Sequence, residues 1–157
     1  MSAYEKFIDL QEKAAELVQA DPYFAGIEVL TERKGDLTQK LNTALQTLGL
    51  SVVVMTPTFQ ITGQVKTRRV VRVSIVVDCS EIVVTNQGAS GTRKPSLAAA
   101  WAAALALDTQ PNGQAPEGMP HLAGMHEFAL DQDKPVRLVP NKVLLTYQAY
   151  LSTEITV

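Results

Sequence analysis

From Arg68 to Cys79 the chain alternates between two kinds of position. Val71, Val73, Ile75, Val77 and Cys79 share one parity, and Val70, Arg72, Ser74, Val76 and Asp78 share the other. Successive side chains on a strand point to opposite faces, so this stretch predicts one long strand with a fully apolar face. The same alternation returns near the end, where Val143, Leu145, Tyr147, Ala149 and Leu151 interleave with Leu144, Thr146, Gln148, Tyr150 and Ser152. It predicts a long strand over 143–153, and the two long strands should be neighbours in the middle of a sheet.

Around them the period changes. Residues 3–20 carry Tyr4, Phe7, Ile8, Ala14, Ala15 and Val18 on one helical stripe, interrupted by Gln11, and Asp21–Pro22 ends it. Ile27, Val29 and Leu30 suggest a short extended piece. Asp36 with Gln39 has capping-box spacing and opens a second helix, buried through Leu37, Leu41, Ala44, Leu45 and Leu48 and stopped by Gly49 in a left-handed conformation. LSVVVM (50–55) then reads as a strand broken by Pro57. Phe59, Ile61 and Val65 mark another, with Gly63 as a candidate bulge. After the polar loop TNQGASGTRK comes a helix whose first turn suits Pro95, with Ser96 an alternative cap. Its stripe Leu97–Trp101–Leu105 is expected to be buried, and its alanines mark close approach to the sheet. Residues 108–125, rich in Pro and Gly, read as a long exposed loop, 127–130 as a strand and 131–134 as a turn.

The expectation is an α+β fold: a mainly antiparallel, mixed sheet of four to five strands packed against two to three helices on one face. A length of 157 residues, 46% hydrophobic, suits one domain over 1–157, with 1–36 an N-terminal helical extension and 37–157 the core. The net charge of −2 argues against a general nucleic-acid binder. One cysteine permits no internal disulfide, in keeping with a reducing cytoplasm. Glu5, Lys6, Asp9, Glu12 and Lys13 near the start are unlike a signal peptide, and the apolar run 97–107 is too short to span a bilayer.

Candidate chemistry is sparse. Cys79 falls among the core valines and reads as a structural thiol. His121 and His126 lie in a Pro/Gly stretch instead of at metal-binding helical spacing, and Asp78 with Glu81 reads as a solvated strand end before a carboxylate pair. No catalytic residue, cofactor or metal site is assigned. Charge is more informative: residues 1–36 hold eight acids and four bases, whereas 37–77 hold no acid and five bases. Lys66, Arg68, Arg69 and Arg72 cluster there, and Arg93 and Lys94 follow in the polar loop. These six are the candidate partner-binding residues. The cluster reads either as a solvated basic hairpin, or as a face that docks on the acidic face of a second copy, where charge fixes register more than affinity. Nucleic-acid contact is a third reading, for which the interleaved aromatics of single-strand binders are absent.

The layout resembles the small tail-terminator or tail-completion (neck, minor tail) proteins of tailed bacteriophages. The resemblance rests on LNTALQTLG before LSVVV, on VRVSIVVDCSEIVVTNQ, then the glycine-bearing loop, the Ala-rich helix, a loop with Pro-Asn-Gly, and YQAYLSTEITV, over roughly residues 37–157. It implies a structural, non-catalytic protein forming a ring, commonly of six subunits, that closes the tail tube or joins it to the head. Its partners would be copies of itself, the tail tube and head–tail connector proteins, with no membrane and no sequence-specific nucleic acid. It would be found in the host cytoplasm during assembly and in the virion tail or neck. The alternative is a small-molecule-binding or hydrolase-like domain with a site under the 108–125 loop, using His121, His126 and Glu127.

Overall fold

The computed structural model describes residues 3–33, 35–108, 129–130, 135–140 and 143–156. In chain order the elements are α1 (Ala3–Ala20), a 3-10 turn (Pro22–Phe24), β1 (Val29–Thr31), α2 (Leu37–Thr47), β2 (Leu50–Val54), β3 (Thr58–Val65), β4 (Arg68–Glu81), α3 (Val83–Asn86), α4 (Ser96–Leu107), β5 (Ala129–Leu130), β6 (Val136–Val139) and β7 (Leu145–Thr156). The fold is α+β. Among the described residues all seven strands belong to one mixed sheet, in which only β1 and β2 run parallel. That exceeds the expected four to five because β5 and β6 are short pieces on the outer edge of β7.

The two long strands form the centre. β4 and β7 pair antiparallel in unbroken register from Val70↔Thr156 to Glu81↔Leu145. β2 and β3 run in the same direction along the other edge of β4, one after the other. Val54 faces Val77, the Met55 N–H donates to the Val76 carbonyl at 2.9 Å, and Thr58 already faces Ser74. Thr56 and Pro57 therefore stand against Ile75 alone, a bulge at the one place where proline breaks the ladder. Glu32 holds it, accepting from the Thr56 N–H at 2.9 Å and the Thr56 hydroxyl at 2.8 Å.

The apolar face of β4 behaves as its alternation predicts. Val73, Ile75, Val77 and Cys79 are fully buried with Leu50, Val52 and Val54 of β2 and Ala149 and Leu151 of β7. Onto this face pack α1, through Leu10, Ala14, Ala15 and Val18, and α4. The segment expected as an extension, 1–36, thus supplies part of the same core, through α1 and through Phe24, Ile27 and Val29. Each such large apolar side chain withdrawn from water contributes about 1.5–3 kcal/mol. Gln11, which interrupts the α1 stripe, is buried and donates to the Val54 carbonyl at 3.0 Å, at the end of β2.

Two expectations about helix placement are corrected. First, α2 is not on the face of α1 and α4. Leu37 and Leu41 line a cleft with Val53, Met55 and Asp78, and Val53 points away from Val52 and Val54. α2 therefore covers the opposite face near β1 and β2. Its ends are as expected: the Asp36 carboxylate accepts from the Gln39 N–H at 3.2 Å, and Gly49 has φ 74°. Second, the buried side of α4 is alanine. Ala99, Ala100, Ala103 and Ala104 have no exposed surface, with Ser96 and Leu107, while Leu97, Trp101 and Leu105 face outward and Trp101 is 40% exposed. The sheet face is already filled with branched side chains, so only small residues let the helix close on it.

The polar loop after β4 is organised around two buried groups, Glu81 and Asn86. Glu81 Oε1 accepts from the Ser96 N–H at 3.0 Å and its hydroxyl at 2.8 Å, so Ser96 is not the helix cap. Asn86 donates to Glu81 Oε2 at 2.7 Å and to the Lys94 carbonyl at 2.9 Å. Its Oδ1 accepts from the Thr92 hydroxyl at 2.6 Å and the Arg93 N–H at 3.0 Å. Glycines clear the space around it: a Cβ on Gly49 would lie 2.2 Å from the Asn86 nitrogen, and one on Gly91 2.1 Å from its carbonyl oxygen.

Candidate functional site

The sheet continues past the point where the helices stop. Along the helix side of β4 burial falls from Val73, fully buried, to half-buried Val71 and then to its cross-strand neighbour Ile61, 58% exposed. Every residue of β3 is exposed, including Phe59 and Val65. The result is an arm of β3, the first half of β4 and the second half of β7, closed by a two-residue turn at Lys66–Thr67. Lys66 takes φ 56° there, and the Gln64 side chain donates to its carbonyl at 3.0 Å.

A second bulge shapes the arm. Ile61 faces Val71, but Gly63 faces Val70, so Thr62 is the extra residue. Residues opposite one another share a face, which places Phe59 and Ile61 with Val73 and Val71 on the helix side, and Gln64 with Arg69 beyond them. Val65 is turned to the other side with Arg68, followed on that side by Gly63 with Val70 and then Gln60 with Arg72. Without the bulge Val65 would continue the Phe59–Ile61 row.

The six sequence-predicted basic residues do not form one surface. Lys66, Arg68, Arg69 and Arg72 are on the arm, exposed, and divided between its turn and its two faces. Arg93 and Lys94 belong to the loop tied to Glu81, at the far end of β4. At ~3.3 Å per residue along β4, its Glu81 end lies roughly 30 Å from Arg72 and roughly 40 Å from Arg68. Lys94 is also engaged internally: its ammonium donates to the Tyr23 carbonyl and lies 4.9 Å from the centre of the Tyr23 ring. Burial, then the proximity of Cys79 and Glu81, raises the Tyr23 phenol above its ordinary pKa.

The other polar clusters organise structure. Asp78 and Glu81 point to different neighbours and make no pair. Asp78 accepts from Ser80 at 2.9 Å and from Gln148 at 2.8 Å, on the face opposite the core. Gln148 in turn accepts from the Tyr150 hydroxyl at 2.5 Å, and the Arg137 guanidinium stacks 3.8 Å over the Tyr150 ring. This row ties β4, β7 and β6 across their register. It borders a shallow cleft of about 190 Å³ between Gln60, Arg72, Ser74, Arg137 and Ser152. The Cys79 thiol is buried, and burial, with Asp78 adding to it, pushes its pKa far up, which removes it as a nucleophile at neutral pH. Among the described residues no three of His, Cys, Asp and Glu are grouped to hold a metal, and no helix is long and apolar enough to cross a membrane. His121, His126 and Glu127 of the alternative site lie outside the described residues.

What sequence reasoning missed is the outward stripe Leu97–Trp101–Leu105 and the buried Glu81–Asn86 pair. The second carries no motif, since its partners come together only in the fold. No protein-family model matches the chain, and comparison with curated proteins returns no match.

Proposed function

We propose that the chain is a structural, non-catalytic protein that assembles with copies of itself into a ring, of the kind that terminates a phage tail tube or joins it to the head. The observation that carries this reading is the arm. Among the described residues β3 is paired with no strand but β4, and its apolar residues Phe59, Ile61 and Val65 are exposed beyond the core. Open edges and exposed apolar rows invite another chain, and a lone subunit gains nothing from either. Lys66, Arg68, Arg69 and Arg72 at the same place, with no acid from 37 to 77, give the contact a sign. The ring, its six-fold closure, the tail-tube and connector partners and the residence in host cytoplasm and virion rest on the resemblance of layout.

Light scattering on sized fractions across protein and salt concentration, with electron microscopy of the largest species, tests the reading. The expected result is a discrete, ring-shaped oligomer that loosens as salt rises. A strict monomer under all conditions overturns it, and a monomer that binds a small molecule through His121 or His126 replaces it with the ligand-binding alternative.

A further inference from the structure

Resting on that reading, we infer that the arm of one copy is received by the α1/α4 side of the next. The two surfaces differ in kind and match in chemistry. α4 turns Leu97, Trp101 and Leu105 to solvent as a row, Leu105 being 61% exposed. A helix rising ~1.5 Å per residue makes that row roughly 12 Å long. α1 packs beside α4 on the same face of the sheet and presents Glu12 and Glu16 outward, Glu16 being bridged by Lys13 at 3.3 Å. α4 itself bears no charge from Ser96 to Leu107.

The arm offers the counterpart. On its helix side Ile61, Phe59 and half-buried Val71 form an apolar patch, and Arg69 shares that side, with Lys66 at the turn. Apolar meets apolar, and cations from a segment without acids meet exposed carboxylates. Such complementarity orients the docking and sets its register. Because donor and receiver are different patches, the contact is head-to-tail: it does not close as a twofold pair and runs on into a ring or a filament.

The test uses the full chain and its single tryptophan, which sits in the middle of the receiving row. Trp101 emission should shift to the blue as wild-type protein assembles. Ile61→Asp disables the arm and Leu105→Asp the receiving row. Both sites are exposed, and melting curves near wild type establish that each variant is folded. Each variant alone should be monomeric, with self-affinity down at least ~30-fold, as for a central apolar anchor. Mixed, they should form dimers of one copy each, since one intact arm then meets one intact row and growth stops. Lys66→Glu/Arg69→Glu should likewise fail alone and pair with Glu12→Lys/Glu16→Lys. If both apolar variants assemble like wild type, another surface makes the oligomer: the inference falls and the ring reading stands. If the mixture stays monomeric, the two patches do not meet and the inference also falls. A monomeric wild type overturns the ring reading itself.

Discussion

Replacing Asn86 by alanine is the sharpest probe of how the loop between β4 and α4 is held. The amide is fully buried and makes four side-chain hydrogen bonds. The partners are not equally dependent on it. The Arg93 N–H keeps the Asn86 main-chain carbonyl at 3.0 Å, and the Thr92 hydroxyl still accepts from the Lys94 N–H at 3.1 Å. Glu81 Oε2 and the Lys94 carbonyl each lose the Asn86 amide as donor, and Glu81 is nearly inaccessible to water. Stranding a buried acceptor costs about 1–3 kcal/mol, and the half-buried Lys94 carbonyl adds less, so the loss comes to roughly 3 kcal/mol. That is a large part of a domain stability of about 5–15 kcal/mol. With ~2–4 °C lost per kcal/mol at this chain length, the midpoint should fall by on the order of 10 °C. Thermal and urea unfolding followed by circular dichroism measure it. Glu81→Gln should act in the same direction, because both carboxylate oxygens accept and an amide nitrogen would face either Asn86 or the Ser96 N–H. A melting point for Asn86→Ala within about 2 °C of wild type would refute the argument that this amide fixes the loop.

Three further outcomes are expected. Gly91→Ala and Gly49→Ala should destabilise more than Gly26→Ala, whose new Cβ meets nothing within 4 Å and whose cost is the ~1–2 kcal/mol of a left-handed alanine; equal melting points for the three would sink the steric account. Ala100→Leu and Ala103→Leu should each cost about 1–3 kcal/mol by overpacking, while Trp101→Ala should cost the monomer less than the ~3–5 kcal/mol of a buried aromatic; urea midpoints decide the order. Cys79, with its pKa raised in the folded state, stays protonated where the unfolded chain ionises. Its contribution is constant below pH ~8.5 and is lost above it at up to ~1.4 kcal/mol per pH unit, so Cys79→Val should flatten the alkaline fall in stability. Parallel alkaline profiles for the two proteins would contradict this, as would alkylation of the native thiol at neutral pH.

Legibility in the sequence followed the length of each periodic run. β4 and β7 were readable because alternation over a dozen residues has no competing interpretation, and their pairing follows from both being central. α2 was readable at both ends, where Asp36 and Gly49 act through local chemistry. β6, four residues between Pro135 and Pro140, is too short for a period to emerge, and α3 is a single turn inside a polar stretch. The orientation of α4 is hidden in the sequence for a different reason. Nearly all its positions are apolar, so the pattern selects no face, and the large residues at spacing four look like the buried side. What decides is the partner surface: Val73, Ile75, Val77 and Leu151 already fill the sheet, and backbone approach is worth more there than another bulky side chain.

The candidate site divides along the same line. That 37–77 carries bases and no acids is a property of composition, visible at once. Which of those bases share a surface depends on register, and register here depends on one inserted residue. Thr62 shifts the β3 partners by one between Ile61 and Gly63, so Val65 joins Arg68 on one side while Arg69 stays with Ile61 on the other. Arg93 and Lys94, near in composition to the cluster, are removed from it by the length of β4, and Lys94 is spent on Tyr23. A count of charges therefore overstates the basic surface. The register reduces the helix side of the arm to an apolar patch ending in Arg69 and the turn lysine. That arrangement has a direction, apolar at the root and cationic at the tip, and a receiving surface must present the same order to fit it.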